Sequence, residues 1–124
     1  MGQEKKKSFT KRSLPADVKQ AVWTCQEKKA EGLCVLALGE LSSFTDFFLI
    51  MNGNSSRQNA AIADAIEEEL KKTGVRPLSV EGRETAEWVL MDYGSFVVHV
   101  FSEKARDYYS LEKLWGDAPR LDYA

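Results

Sequence analysis

Glu81 to Trp115 reads EGRETAEWVLMDYGSFVVHVFSEKARDYYSLEKLW, and this stretch decides the fold. Trp88 opens the run WVLMD. Asp92, Tyr93 and Gly94 supply turn chemistry, and FVVHVF then resumes with β-branched and aromatic residues, so the pair predicts a β-hairpin. Side chains alternate along a strand, which puts Trp88, Leu90 and Asp92 on one face and Val89 and Met91 on the other. A Trp and an Asp together make a poor core face. The Trp88 side is therefore expected to point outward, as an aromatic anchor with an acidic rim, and the competing reading is that Trp88 is an ordinary core residue. After the hairpin, Ser102 is positioned to cap a helix through Glu103, Lys104, Arg106 and Tyr109, with Leu111, Leu114 and Trp115 extending its apolar face.

Working outward, Val18, Ala21, Val22 and Cys25 fall at i, i+3, i+4, i+7, which predicts an amphipathic helix from Pro15 to Glu31. LCVLAL (33–38) and DFFLIMN (46–52) are continuous apolar runs of the kind found in strands covered on both faces. Ser55 and Gln58 have capping-box spacing, with Ser56 as an alternative cap, before the helical stripe Ala61, Ile62, Ala65, Ile66 and Leu70 that runs towards Gly74. Pro77 to Glu81 adds a short strand. The order α-β-β-α-β-β-β-α predicts one α/β domain, a mixed sheet of about five strands with helices packed on it. Residues 1–13 are expected to be a basic flexible arm, 14–117 the domain, and 118–124 a loose tail.

Composition restricts the function. With 44% hydrophobic and 29% charged residues in a chain of 124, a soluble domain with one core is expected, and no apolar run reaches the length of a membrane span. MGQEKKKSFTKRS has no apolar stretch after its charges, so neither a secretory signal nor an Arg-rich transit peptide is expected and a cytoplasmic location is. Cys25 and Cys34 have no CxxC or His spacing and read as buried reduced thiols, with a disulfide between them as the competing reading. Residues 1–13 carry five Lys/Arg against one acid, a charge of +4, leaving twelve against eighteen, a charge of −6, on the rest. An acidic body fits a basic protein partner better than nucleic acid, with RNA at most a secondary contact through the arm.

No catalytic constellation is complete. Gly53-Asn54-Ser55-Ser56 has the look of a triphosphate-holding turn, but the paired carboxylates that would hold Mg²⁺ are missing, since Asp64, Glu67, Glu68 and Glu69 lie on a helical pattern and Asp92 stands alone. His99 is the only histidine and has no nucleophile motif beside it, so it reads as structural or partner-contacting. Arg57, at the start of the long helix, reads as an exposed side chain or a local ion pair rather than an anion contact. No cofactor, metal or catalytic residue is expected.

The Glu81–Trp115 block, with GNSSRQNAAIADAIEEEL at 53–70, closely resembles the Iojap-like ribosomal silencing factors over roughly 17–117. The resemblance implies a nucleotidyltransferase-like topology and a non-enzymatic factor that binds the large ribosomal subunit. It implies docking on a basic protein of the joining face, the fourteenth of that subunit, which blocks joining of the small subunit and represses translation. The contacts implied are Trp88, Asp92 and Tyr93, with Glu81 nearby. Arg106, Tyr109, Leu111, Leu114 and Trp115 match the family's R-x-x-Y-x-L-E-x-L-W stretch, and Tyr109, Leu111, Leu114 and Trp115 are expected to dock the last helix onto the sheet rather than touch a partner. The rivals are a minimal nucleotidyltransferase using Gly53 to Ser56 and Asp92, and a homodimeric module pairing through the Trp88 patch.

Overall fold

A computed structural model describes residues 9–123. Helix α1 spans Ala16–Glu27, with Pro15 at its N-cap. It ends a turn before the expected Glu31, because Lys29 turns into the left-handed region (φ 65°) and the chain enters β1, Glu31–Ala37. The remaining elements are β2 (Phe47–Gly53), α2 (Ser56–Lys71), β3 (Ser79–Glu81), β4 (Trp88–Asp92), β5 (Phe96–Ser102), α3 (Glu103–Tyr109), α4 (Leu111–Leu114) and β6 (Arg120–Asp122). The strands form one six-stranded sheet in the order β3-β4-β5-β2-β1-β6. Only β2 and β5 run parallel, and every other pair is antiparallel.

Capping chemistry explains the helix starts. The Ser55 hydroxyl accepts the Gln58 N–H at 3.1 Å, while the Gln58 amide oxygen reaches back to the Asn54 N–H rather than to the cap residue itself. Ser102 accepts the Ala105 N–H at 3.0 Å and starts α3 as expected. One continuous last helix was expected and two are present. Ser110 adopts a left-handed conformation (φ 47°) that ends α3 and starts α4, with its hydroxyl donating to the Asp107 carbonyl at 2.7 Å.

The sheet has two unequal faces. On one, α1 and α2 bury Val18, Ala21, Cys25, Ile62, Ile66 and Leu70 against Val35, Leu49, Met51, Val89, Met91, Val98 and Val100. Each such buried aliphatic side chain contributes about 1.5–3 kcal/mol, so this is the dominant core. On the other face, Leu36, Phe48, Ile50, Val97 and Phe101 form a smaller cluster against Ala105, Leu111 and Trp115 of the short C-terminal helices. The central strands are covered on both sides, as continuous apolar runs require.

Residues 9–13 and 120–122 depart from expectation. The tail after residue 117 was expected to be loose, but β6 extends the sheet by pairing with β1, and the Ala37 N–H donates to the Pro119 carbonyl at 2.9 Å. An unpaired β1 edge adjoining the main core is thereby satisfied. In the arm expected to be flexible, residues 1–8 lie outside the described residues, whereas Phe9 stacks on Phe47, Lys11–Ser13 form a 3-10 turn capped by Thr10, and the Lys11 ammonium sits 4.3 Å above the Tyr123 ring. Cys25 and Cys34 are both buried free thiols, and burial pushes their pKa values up to about 12 and about 11. No helix among the described residues is long and apolar enough to cross a membrane.

Candidate docking face

The hairpin β4–β5 sets the geometry. Its turn is closed by the Asp92 carboxylate accepting the Gly94 N–H at 2.8 Å, with Gly94 at φ 88°, where a side chain would be strained. That closure pairs Asp92 with Val97, Leu90 with His99 and Trp88 with Phe101. Directly paired residues share a face, so Trp88, Leu90, Asp92, Val97, His99 and Phe101 project from the smaller-core side. The edge strand β3 adds Glu81 opposite Leu90 and Ser79 opposite Asp92.

Three of the four predicted contact residues therefore come together: Trp88, Asp92 and Glu81. Glu81 is exposed, and Trp88, Leu90 and Asp92 are half-buried. The C-terminal helices pack over the β5, β2 and β1 part of this face, and α3 reaches β4 through Tyr109 against Trp88, while Leu90, Asp92 and Glu81 keep some exposure. Tyr93 falls out of the group. Continuing the alternation from Met91, its ring stacks on Phe96 (4.8 Å between centroids, 9° between planes) against the main core, and its hydroxyl is buried without a hydrogen-bond partner. Burial pushes its pKa up to about 12, with the Glu67 charge acting in the same direction.

Trp88 is neither free nor an ordinary core residue. Its ring packs against Phe101 (4.9 Å) and Tyr109 (4.6 Å), and its indole N–H donates to His99 Nδ1 at 3.1 Å. The outward assignment holds in that the main core uses Val89 and Met91, which are fully buried, on the opposite side. The strand pattern did not reveal that Tyr109, 49% exposed, would close over one side of the indole. Of the residues expected to dock the last helix, Leu111 and Trp115 do so, Trp115 meeting Phe48 edge-on at 5.9 Å, whereas Leu114 is 72% exposed. Arg106 pins these helices down, donating to Asn52 Oδ1 at 2.8 Å and to the Glu112 carboxylate.

His99 is 3% exposed, and burial lowers its pKa to about 3. It is therefore neutral, and because Nδ1 accepts, its proton resides on Nε2, which has no partner. The contact with Trp88 was foreseeable only by fixing the hairpin register, because Asp92 opposite Val97 makes 88 and 99 diagonal neighbours.

The halves of a nucleotidyltransferase site do not meet. Gly53 pairs with Ser102 at one end of β5 and Asp92 pairs with Val97 near the other, five residues or about 17 Å apart. The Gly53–Ser56 turn spends its polar groups on capping α2, and a Cβ at Gly53 would run into Asn59 Oδ1. Asn59 in turn donates to the Ala86 carbonyl at 2.8 Å and holds the loop that leads into Trp88. Among the described residues no group of three or more His, Cys, Asp or Glu side chains is arranged to hold a metal ion. Arg57 is exposed, while Arg83 rather than Arg57 pairs with Asp64 on α2.

Comparison with known proteins agrees with this geometry. A family model described as ribosomal silencing factor during starvation matches residues 11–124. A ribosomal silencing factor from Bacillus subtilis is 45% identical over 105 residues, covering 85% of this chain and 89% of that one. A crystal structure of a Chromobacterium violaceum protein, 37% identical, superposes with a TM-score of 0.79 over 81% of this chain and 83% of the other. More distant relatives are the mouse mitochondrial assembly of ribosomal large subunit protein 1 (29% identical) and the chloroplastic Iojap protein of Zea mays (33%), of whose lengths the match covers 45% and 42%. These are names of silencing and ribosome-assembly factors, not of enzymes. With a family model spanning all but its first ten residues and bacterial relatives matched over most of their length, the chain belongs to the Iojap-like family of ribosomal silencing factors.

Proposed function

We propose that this protein silences ribosomes by docking the β4–β3 part of its sheet on the large subunit, where it sterically prevents the small subunit from joining and so represses translation. The partner surface is a basic protein of the joining face, the fourteenth of the large subunit, and the contact residues are Trp88, Asp92 and Glu81, with Tyr93 supporting the turn from behind. The observation that carries this reading is a partly buried indole that shares its sheet face with Leu90, Asp92 and Glu81, on the strands where the C-terminal helices give the least cover. Such an anchor with a polar rim is the usual makeup of an interface centre. The acidic body favours a basic protein over RNA as the primary contact, leaving RNA a secondary role. The name of the mouse relative, which refers to the large subunit, supports the choice of subunit.

The test is co-sedimentation with separated ribosomal subunits, followed by a subunit-joining assay. Trp88→Ala should weaken capture of the large subunit about thirtyfold, the equivalent of a ~2 kcal/mol hot spot. The fold should survive, because Trp88 stands outside the main core. The cost should be about 1–2 kcal/mol, below the ~3–5 of a fully buried ring. Trp88→Glu should bind more weakly still, since it places a desolvated charge at the centre of the contact. Folded Trp88→Ala that still blocks joining would move the docking surface elsewhere.

A further inference from the structure

Two neighbouring rings pack against the Trp88 indole, Phe101 from β5 at 4.9 Å and Tyr109 from α3 at 4.6 Å, themselves 6.5 Å apart. Stacking of this kind attracts the ring but tolerates sliding and rotation in its own plane. The one directional contact is the N–H bond to His99 Nδ1. The acceptor itself is held firmly. The imidazole meets the Phe48 ring at 4.4 Å in an edge-on arrangement and lies nearly parallel to Phe101, 11° between planes, with almost no exposure to solvent. Its other nitrogen, Nε2, is buried without a partner, and this is a cost the fold carries. A Phe or Leu at position 99 would fill the same apolar space and remove the unpaired Nε2, giving up only the acceptor for the indole N–H.

We propose that His99 is a positioning residue for docking: its Nδ1 holds the Trp88 indole in a single orientation on the docking face, so that the anchor is presented preorganised. This deepens the docking reading and rests on it. A rigid aromatic anchor binds without first losing rotamer freedom, so the effect belongs in affinity rather than in stability. A purely structural histidine would show the reverse, a loss of stability with no change in the indole.

The experiment compares His99→Phe, which keeps a ring and removes the acceptor, with His99→Asn, whose amide oxygen can take the place of Nδ1. The full chain is labelled with ¹⁵N on tryptophan, and the Trp88 indole signal is told apart from those of Trp23 and Trp115 by its loss in Trp88→Phe. His99→Phe should fold with an unchanged or higher thermal midpoint, shift the Trp88 indole resonance, speed its hydrogen exchange, and weaken capture of the large subunit about tenfold. His99→Asn should recover both the resonance and much of the capture. If Trp88→Ala abolishes capture while His99→Phe binds within twofold of wild type, the proposal is overturned and the docking reading stands. If Trp88→Ala itself binds like wild type, the docking reading fails, and the indole resonance decides the orientation claim alone. Should His99→Phe not fold, the ¹⁵N imidazole spectrum of the wild-type protein decides: a proton on Nε2 supports the proposal and a proton on Nδ1 overturns it.

Discussion

At the scale of single residues, the buried polar atoms without partners make the sharpest claims. The Tyr93 hydroxyl is one of them. Tyr93→Phe removes an unpaired group and keeps the ring stacked on Phe96, so it should leave stability unchanged or raise it by up to about 1 kcal/mol in urea denaturation. If the same variant loses capture of the large subunit, the hydroxyl reaches a partner after all and Tyr93 regains the contact role first assigned to it. His99 predicts a pH dependence. Its pKa is about 3 in the folded protein against 6.5 unperturbed, so below pH 6.5 the unfolded chain takes up a proton that the folded one does not. Stability from this group is complete above about pH 6.5 and falls as the pH drops towards 3, by at most about 1.4 kcal/mol per pH unit. His99→Phe should flatten that part of the curve, as midpoints measured between pH 4 and 7 would show. Part of this was legible in the sequence: alternation along WVLMD separated Trp88 from Met91 correctly. The family resemblance groups Tyr93 with Trp88 and Asp92 although it is one step out of phase with them, a conflict the period of two already contains.

At the scale of elements, what could be read was whatever local chemistry writes plainly. Ser55 and Ser102 as caps, the Asp92-Tyr93-Gly94 turn and the paired apolar runs of β1 and β2 all declare themselves within a few residues. The strand β6 did not. Its three residues, Arg120–Asp122, alternate polar and apolar over too short a run to signal a strand, and they pair only because β1 offers an edge some 85 positions earlier, a distance at which no local pattern operates. The break between α3 and α4 was hidden for a different reason: Ser110 takes the left-handed conformation that Gly or Asn would have announced. Those two helices are fastened chiefly by Arg106, which joins Asn52 on β2 to Glu112 on α4. Removing the guanidinium strands a half-buried carboxylate and a buried amide, so Arg106→Ala should cost about 1.5–3 kcal/mol. Amide exchange across 103–115 should quicken before the rest of the sheet is affected. Arg106→Lys should recover little, since a single ammonium cannot serve both partners as the planar fork does.

At the scale of the whole molecule, charge and shape act together. The chain carries −2 overall, but five of its seventeen basic residues fall in the first thirteen positions, with one acid, and leave the remainder at −6. A surface rich in acids approaching a basic protein is drawn in over distances comparable to the screening length, about 10 Å at 0.1 M salt and about 3 Å at 1 M. The proposed contact, centred on an indole and a leucine, would depend on apolar burial that salt does not weaken. The two contributions separate kinetically. Raising the salt from about 0.05 to 0.5 M should slow association of the protein with isolated large subunits severalfold while the dissociation rate changes little, as surface-plasmon or stopped-flow measurements would resolve. Residues 1–8 carry a charge of +2 of their own, three lysines against one glutamate, so deleting them should speed association with a basic protein partner at low salt. If the deletion slows association instead, the arm is meeting ribosomal RNA, and the nucleic-acid contact assigned a secondary place becomes part of how the protein arrives.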